Sequence, residues 1–229
     1  TLFDLDGTLI PQDSDHAFGA YMVEIGWADG AAWAARNDEF YAQYQRGALD
    51  LDAYIDFATS VWRARPPQEA LAAREQFMAR VIQPLMRDNA RALVRRHQEA
   101  GDLMAVVTAT NEFVTAPIAG AFGIEHLIAV QLERDAAGGY TGRVQGVPSY
   151  QAGKILRVEQ WLAAQGRRWD EFERVHFYSD SMNDLPLLER VSHPVATNPS
   201  PALEALAQRR GVCQDFAHIL IACLRAMGV

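Results

Sequence analysis

The chain has 229 residues, 49% hydrophobic and 22% charged, which suits a soluble globular protein of one large domain or a core with a smaller companion. Its 29 acidic residues outnumber 21 basic ones, a net charge of −8 that argues against a nucleic-acid partner. No apolar run is long enough to span a bilayer and no signal peptide is visible, so a cytoplasmic setting is expected.

The first element is the apolar start Thr1-Leu2-Phe3, read as the end of a buried strand, with Gly7-Thr8 as the turn that leaves it. Asp4 and Asp6, one residue apart, then fall at the carboxyl end of that strand, where open α/β sheets bind ligands. Two carboxylates that close raise one another's pKa unless a cation neutralises them. Magnesium, held by carboxylates, phosphate oxygens and water, meets that need. A polar turn after a strand is the plainer reading of the same residues.

Pro11-Gln12-Asp13-Ser14-Asp15 is a turn-rich loop, and Asp15 reads as a cap for the helix that follows. From about His16 to Val81 only helical patterning is found. The spacing predicts helices over Ala31–Arg46, stopped by Gly47, over Leu51–Arg63, capped by Asp50, and from Gln68 to about Ile82, stopped by Pro84. Aromatics recur from Phe18 to Trp62 and are read mainly as the core of a small helical bundle, with one or two left to line a pocket. Met86, Ala90, Leu93, Val94 and His97 mark one face of a helix ending at Gly101, with His97 as a packed residue rather than a ligand.

An α/β alternation follows. Leu103–Val107 is a continuous apolar run, the pattern of a buried parallel strand, with Thr108 at its end. A helix to Phe122 is followed by a strand over Leu127–Leu132, and the turn Ala136–Gly139 lets Tyr140–Val144 pair back as a hairpin. Lys154 lies near the start of a helix that runs to about Ala164. Strands over Val175–Ser179 and Pro194–Thr197, a helix over Pro201–Arg210 and a closing amphipathic helix from Phe216 to Met227 complete the pattern. Cys213 and Cys223, the only cysteines, show no metal-ligand pattern and are read as free thiols, Cys223 in the core.

Four features thus occur in series: Asp4-Leu5-Asp6-Gly7-Thr8, the strand-terminal Thr108, Lys154 on a helix, and Tyr178-Ser179-Asp180-Ser181-Met182-Asn183-Asp184. Their order and spacing resemble the four signatures of the haloacid dehalogenase superfamily, and the layout is most similar to its helical-cap branch, which contains phosphoserine phosphatase. The resemblance implies an α/β fold: a doubly wound, Rossmann-like parallel sheet over residues 1–10 and 85–229, with an all-helical cap subdomain inserted over 11–84.

It also implies a magnesium-dependent phosphoric monoester hydrolase. Asp4 would be the nucleophile that forms an aspartyl-phosphate, and Asp6 the acid and then the base. Asp4, the backbone carbonyl of Asp6, and Asp180 would hold Mg2+, with Asp184, Asn183 and Ser181 in support. Thr108, the backbone after it at Ala109, and Lys154 would bind the phosphoryl group. The chain departs from phosphoserine phosphatase by having Gly7 where that enzyme has Ser. It has Asp13 where that enzyme's cap grips the substrate amine with Glu, and Asp56 where an Arg would meet the carboxylate.

The expected substrate is therefore a small phosphorylated metabolite bearing an amine or imidazole and no free carboxylate, such as histidinol phosphate. A lipid-phosphate phosphatase, a phosphotransferase and a non-catalytic binding module are the alternatives. No transmembrane helix or basic amphipathic stretch favours the first, and the intact carboxylates argue against the last. Oligomeric state is not legible.

Overall fold

The shortest strand sits at the centre. β1 is only Leu2–Phe3, both buried, and the chain leaves it at once for helices. The computed structural model describes residues 1–210. Four helices follow: α1 (Ser14–Glu24), α2 (Gly30–Gln45), α3 (Leu51–Arg63) and α4 (Pro67–Phe77). Their boundaries have local causes. The Asp13 carboxylate accepts from the His16 amide at 2.8 Å, and that of Asp50 from the Ala53 amide at 3.1 Å. Pro67 opens α4, and Gly47, with φ of 69°, ends α2. Asp13, not Asp15, therefore caps α1. The helix expected to reach Ile82 is α-helical only to Phe77, continuing as a π-turn over Met78–Ile82 and a 3-10 turn at Pro84.

After α5 (Asp88–Glu99) comes β2 (Ala105–Asn111), then α6 (Glu112–Ala121), β3 (His126–Val130) and the antiparallel hairpin β4 (Leu132–Arg134) and β5 (Tyr140–Val144). Then follow α7 (Gly153–Ala164), β6 (His176–Ser179), α8 (Leu185–Arg190), β7 (His193–Ala196) and α9 (Pro201–Arg210). Five strands form one parallel sheet in the order β3-β2-β1-β6-β7. β2 starts two residues later than the apolar run and extends past Thr108 to Asn111, because a register shift after Val107 restores pairing of Asn111 with Val130. The expected closing helix, with Cys213 and Cys223, lies outside the described residues.

Alternation along β2 builds the two layers. Val106 joins Phe3, Ala90, Val94 and Val114 on the α5–α6 side, whereas Ala105 and Val107 join Val158, Leu162 and Leu187 on the α7–α8 side. The inserted helices pack on one another, with Phe40 buried against Tyr54 and Phe57, and also on the sheet layer. Trp62 of α3 stacks on Phe113 of α6 at 4.0 Å between centroids, and Phe18 of α1 packs edge-on to Phe77 at 4.9 Å. Arg63 donates to the Thr141 carbonyl at 2.5 Å, which ties α3 to the hairpin. Among the described residues no helix is long and apolar enough to cross a membrane.

The amino-terminal edge of the sheet carries a histidine cluster. His97 is buried, with Nδ1 2.6 Å from Asp102 and Nε2 2.9 Å from the Tyr178 hydroxyl, the packed role its helix position predicts. Its ring lies 5.4 Å from that of His176, which lies 4.8 Å from His193. Burial, and then the neighbouring His193 and His97, hold His176 down to about 4 from its usual 6.5. A histidine kept neutral in the fold is out-titrated by the unfolded chain, so its contribution is complete above pH 6.5 and is lost as pH falls toward 4. Urea unfolding of wild type and His176→Gln across this range should show the wild-type advantage shrinking with acid. A pH-independent difference would contradict the assignment.

Candidate active site

Asp4 leaves the end of β1 with its amide bonded to the Tyr178 carbonyl at 2.8 Å, so the sheet itself sets where its side chain begins. One carboxylate oxygen accepts from Lys154 Nζ at 2.9 Å, and the other is 3.5 Å from the Thr8 hydroxyl. That hydroxyl also reaches Asp180 at 3.4 Å, so Thr8 stands between the carboxylates of the first and fourth signatures. Lys154, 1% exposed, bridges from Asp4 to Asp184 at 2.6 Å. Ser179 in turn holds the other oxygen of Asp184 at 2.7 Å. Burial alone would lower the Lys154 pKa, but Asp184 and Asp4 outweigh it and raise it.

One buried cation thus faces three carboxylates. Burial pushes Asp4 up to about 7 against the pull of Lys154, and burial together with Asp4 and Asp184 pushes Asp180 up to about 8. Gly7 makes this crowding possible. A Cβ there would fall 2.3 Å from Asp180 Oδ2, and its φ of 78° is left-handed.

Asp6 points toward the inserted helices. It accepts from the Ser14 amide and from the Thr110 hydroxyl, both at 2.8 Å. Burial, then the nearby Asp13, raise it to about 7 against those hydrogen bonds. Thr110 also donates its amide to the Thr108 hydroxyl at 3.1 Å, so the threonine that reaches Asp6 is itself tied to Thr108. Beside them is a pocket walled by Asp13, Asp15, His16, Tyr41, Tyr44 and Tyr54, with Ala109 and Thr110 as its floor. Asp15 is buried and bound by Asn111 Nδ2 at 3.1 Å and by Tyr54. Burial raises both Asp13 and Asp15 to about 6. Neither makes an ion pair with a lysine or arginine among the described residues, and Asn37, Phe40 and Leu49 complete the wall.

The structure brings together Asp4, Asp6, Thr108, Ala109, Lys154, Asp180 and Asp184, with Asp13 at the pocket. Ser181 turns its hydroxyl to the Asn183 amide, and Asn183 reaches across to the Tyr44 carbonyl at 2.9 Å. Asp56 is not part of the group. It lies on α3, 67% exposed, paired with Arg63, and so cannot repel a substrate carboxylate as its place in the sequence implied. Thr110 and Asn111 were not singled out in the sequence, and Asp15 was read there as a helix cap. Thr110 carries a readable signal, since it lies two residues beyond Thr108 and so on the same face of a strand.

The profile of haloacid dehalogenase-like hydrolases matches residues 1–189, and a second profile, of the transglutaminase-like superfamily, matches residues 187–229. A histidinol-phosphatase of Neisseria meningitidis is 44% identical over 92% of this chain and 95% of its own length. The crystal structure of a protein of unknown function from Bordetella pertussis Tohama I is 49% identical, with a TM-score of 0.85 over 92% of this chain and 94% of that one. A substrate-bound phosphoserine phosphatase shares the fold, with a TM-score of 0.64 at 16% identity over 89% of this chain and 88% of its own. The long profile match and the Neisseria relative agree with the geometry around Asp4, and the chain belongs to the haloacid dehalogenase-like hydrolase family.

Proposed function

We propose that the chain is a magnesium-dependent phosphatase that hydrolyses a small phosphate monoester through an aspartyl-phosphate, and that the ester carries a cationic amine or imidazole. One observation carries the phosphatase reading: the Lys154 ammonium, fixed between Asp4 and Asp184, stands where it can screen both a carboxylate nucleophile and a dianionic ester. Asp4 attacks phosphorus as the ester bond breaks, and Asp6 gives a proton to the leaving oxygen. Asp6 then takes a proton from the water that attacks the acyl-phosphate, which releases inorganic phosphate and restores Asp4. Thr108 and the adjoining backbone at Ala109 bind the phosphoryl oxygens.

The donor set fits a hard divalent cation. Asp180 and Asp4 flank the Thr8 hydroxyl with more negative charge than Lys154 neutralises, and burial, followed by Asp4 and Asp184, raises the pKa of Asp180. Asp4, the carbonyl of Asp6, and Asp180 would hold Mg2+, whose charge would offset that of the phosphoryl oxygens. Residues 11–84 act as the cap that selects the substrate, over a core of 1–10 and 85 onward.

The pocket supports the substrate class. Two carboxylates with no lysine or arginine partner among the described residues, walled by His16 and three tyrosines, favour an ammonium or imidazolium group and disfavour a second anion. The similar Neisseria protein is named for histidinol phosphate, an ester of this kind. Phosphate release from histidinol phosphate, phosphoethanolamine and phosphoserine, with and without chelator, tests both parts. Asp13→Asn keeps a good N-cap for α1 and removes the charge. Loss of one such charge pair costs about 2–5 kcal/mol, so the preference for the cationic esters over phosphoserine should fall at least about thirtyfold. Equal use of all three esters by wild type, or full activity in chelator, would reject the reading.

A further inference from the structure

Tyr150 and Gln151, just ahead of the Lys154 helix, reach the inserted segment. Gln151 Nε2 lies 3.2 Å from the Gly47 carbonyl, 3.1 Å from the Tyr150 hydroxyl and 3.5 Å from Asn183 Oδ1. Tyr150 sets its ring 6.1 Å from that of Tyr44, and its hydroxyl accepts from the Leu49 amide. The contacts gather on the carboxyl end of α2, where carbonyls left without helical partners carry the negative end of the helix dipole. Tyr44 and Leu49, at that end, belong to the wall of the candidate substrate pocket.

The backbone there is unusual. Gln151 has φ of 47°, a left-handed conformation that a residue with a Cβ keeps only where its surroundings hold it. Its carbonyl also accepts from the Lys154 amide at 3.1 Å, which joins this turn to the catalytic lysine's helix. Gly47 answers on the other side: a Cβ there would lie 3.1 Å from Asn183 Oδ1.

We propose that Tyr150 and Gln151 form a clasp that holds the α2 wall of the pocket against the core, and that Gln151 is a positioning residue for substrate binding. The clasp fixes Tyr44 and Leu49 at the distance a pocket-filling ester needs and leaves the phosphoryl chemistry alone. Its kinetic consequence rests on the phosphatase reading; its structural consequence does not.

Two variants separate reach from strain. Gln151→Asn tolerates the left-handed backbone but is one methylene too short, and Gln151→Gly removes both side chain and strain. Hydrogen exchange of the unliganded proteins and steady-state kinetics on histidinol phosphate and methyl phosphate with magnesium are the measurements. Loss of about one net hydrogen bond should speed amide exchange over residues 47–49 and raise KM for histidinol phosphate, each by about five- to tenfold, with kcat held within about twofold. Methyl phosphate, too small to reach the wall, should keep its kcat/KM. Unchanged exchange in both variants overturns the clasp whatever the enzyme's activity. Faster exchange with equal losses on both esters, or with a loss in kcat alone, overturns the role in binding. Should wild type release phosphate from no ester, the functional reading fails, and the exchange result still judges the clasp.

Discussion

Asp4→Asn should leave a folded protein whose phosphate release is lower by at least about 10^4-fold, the scale on which removing a nucleophile acts. The amide has the shape of the carboxylate and can still accept from Thr8, but it cannot form the acyl-phosphate. The fold should not suffer. Asp4 is held to about 7 by burial, and its charge also raises Asp180, so a neutral group at this position relieves repulsion inside the cluster. Lys154 keeps Asp184 as its partner. Thermal unfolding without added metal should therefore give a midpoint at or above that of wild type. A well-folded Asp4→Asn protein with near-normal turnover would remove Asp4 from the chemistry.

Lys154→Met should lose both activity and stability. The ammonium is enclosed with Asp4 at 2.9 Å and Asp184 at 2.6 Å, and breaking a buried pair by removing one member costs about 3–5 kcal/mol. The penalty depends on pH. Carboxylates left without a cation have folded pKa values further above those of the unfolded chain, so they destabilise increasingly as pH rises from the unfolded value through the folded one, and recover as protons return. With the Asp4 pKa already at about 7 in the presence of Lys154, urea unfolding at pH 8.5 should show a larger deficit than at pH 5.5. Lys154→Arg should not restore activity, because a planar guanidinium does not fit a slot cut for an ammonium that is 1% exposed. Wild-type stability of Lys154→Met at pH 8.5 would show that the pair is not what holds this part of the sheet.

Asp4, Asp6, Lys154 and Asp180 were readable because each follows or opens an element whose pattern is local: an apolar strand end, a helix start, a strand end again. What local pattern cannot supply is rotation about a helix axis. Asp56 was placed at the pocket by aligning it with a position of phosphoserine phosphatase, but each step along a helix turns the side chain by about 100°, and it faces solvent beside Arg63. Tyr41, Tyr44 and Tyr54 belong to the aromatics of which one or two were left to line a pocket, without the sequence saying which. Their helical spacing is that of core residues, and only the approach of β2 beneath them leaves a pocket. The stacking of Trp62 on Phe113 is likewise invisible in sequence, since it joins residues on either side of two intervening helices. The extent of β2 was missed because a register shift, not hydrophobicity, carries the strand past Thr108.

The missing side chain at Gly7 has a bearing on how this chain can be compared or recombined with its relatives. Asp180 occupies the space that a Cβ at position 7 would need, and Asn198 donates to the Gly7 carbonyl at 3.1 Å, so residues from opposite ends of the sequence close on a single backbone unit. A chimera that imports a serine-bearing first loop alone would evict Asp180 from its seat, however well each half folds. Loop and carboxylate have to be exchanged together, as one inherited part.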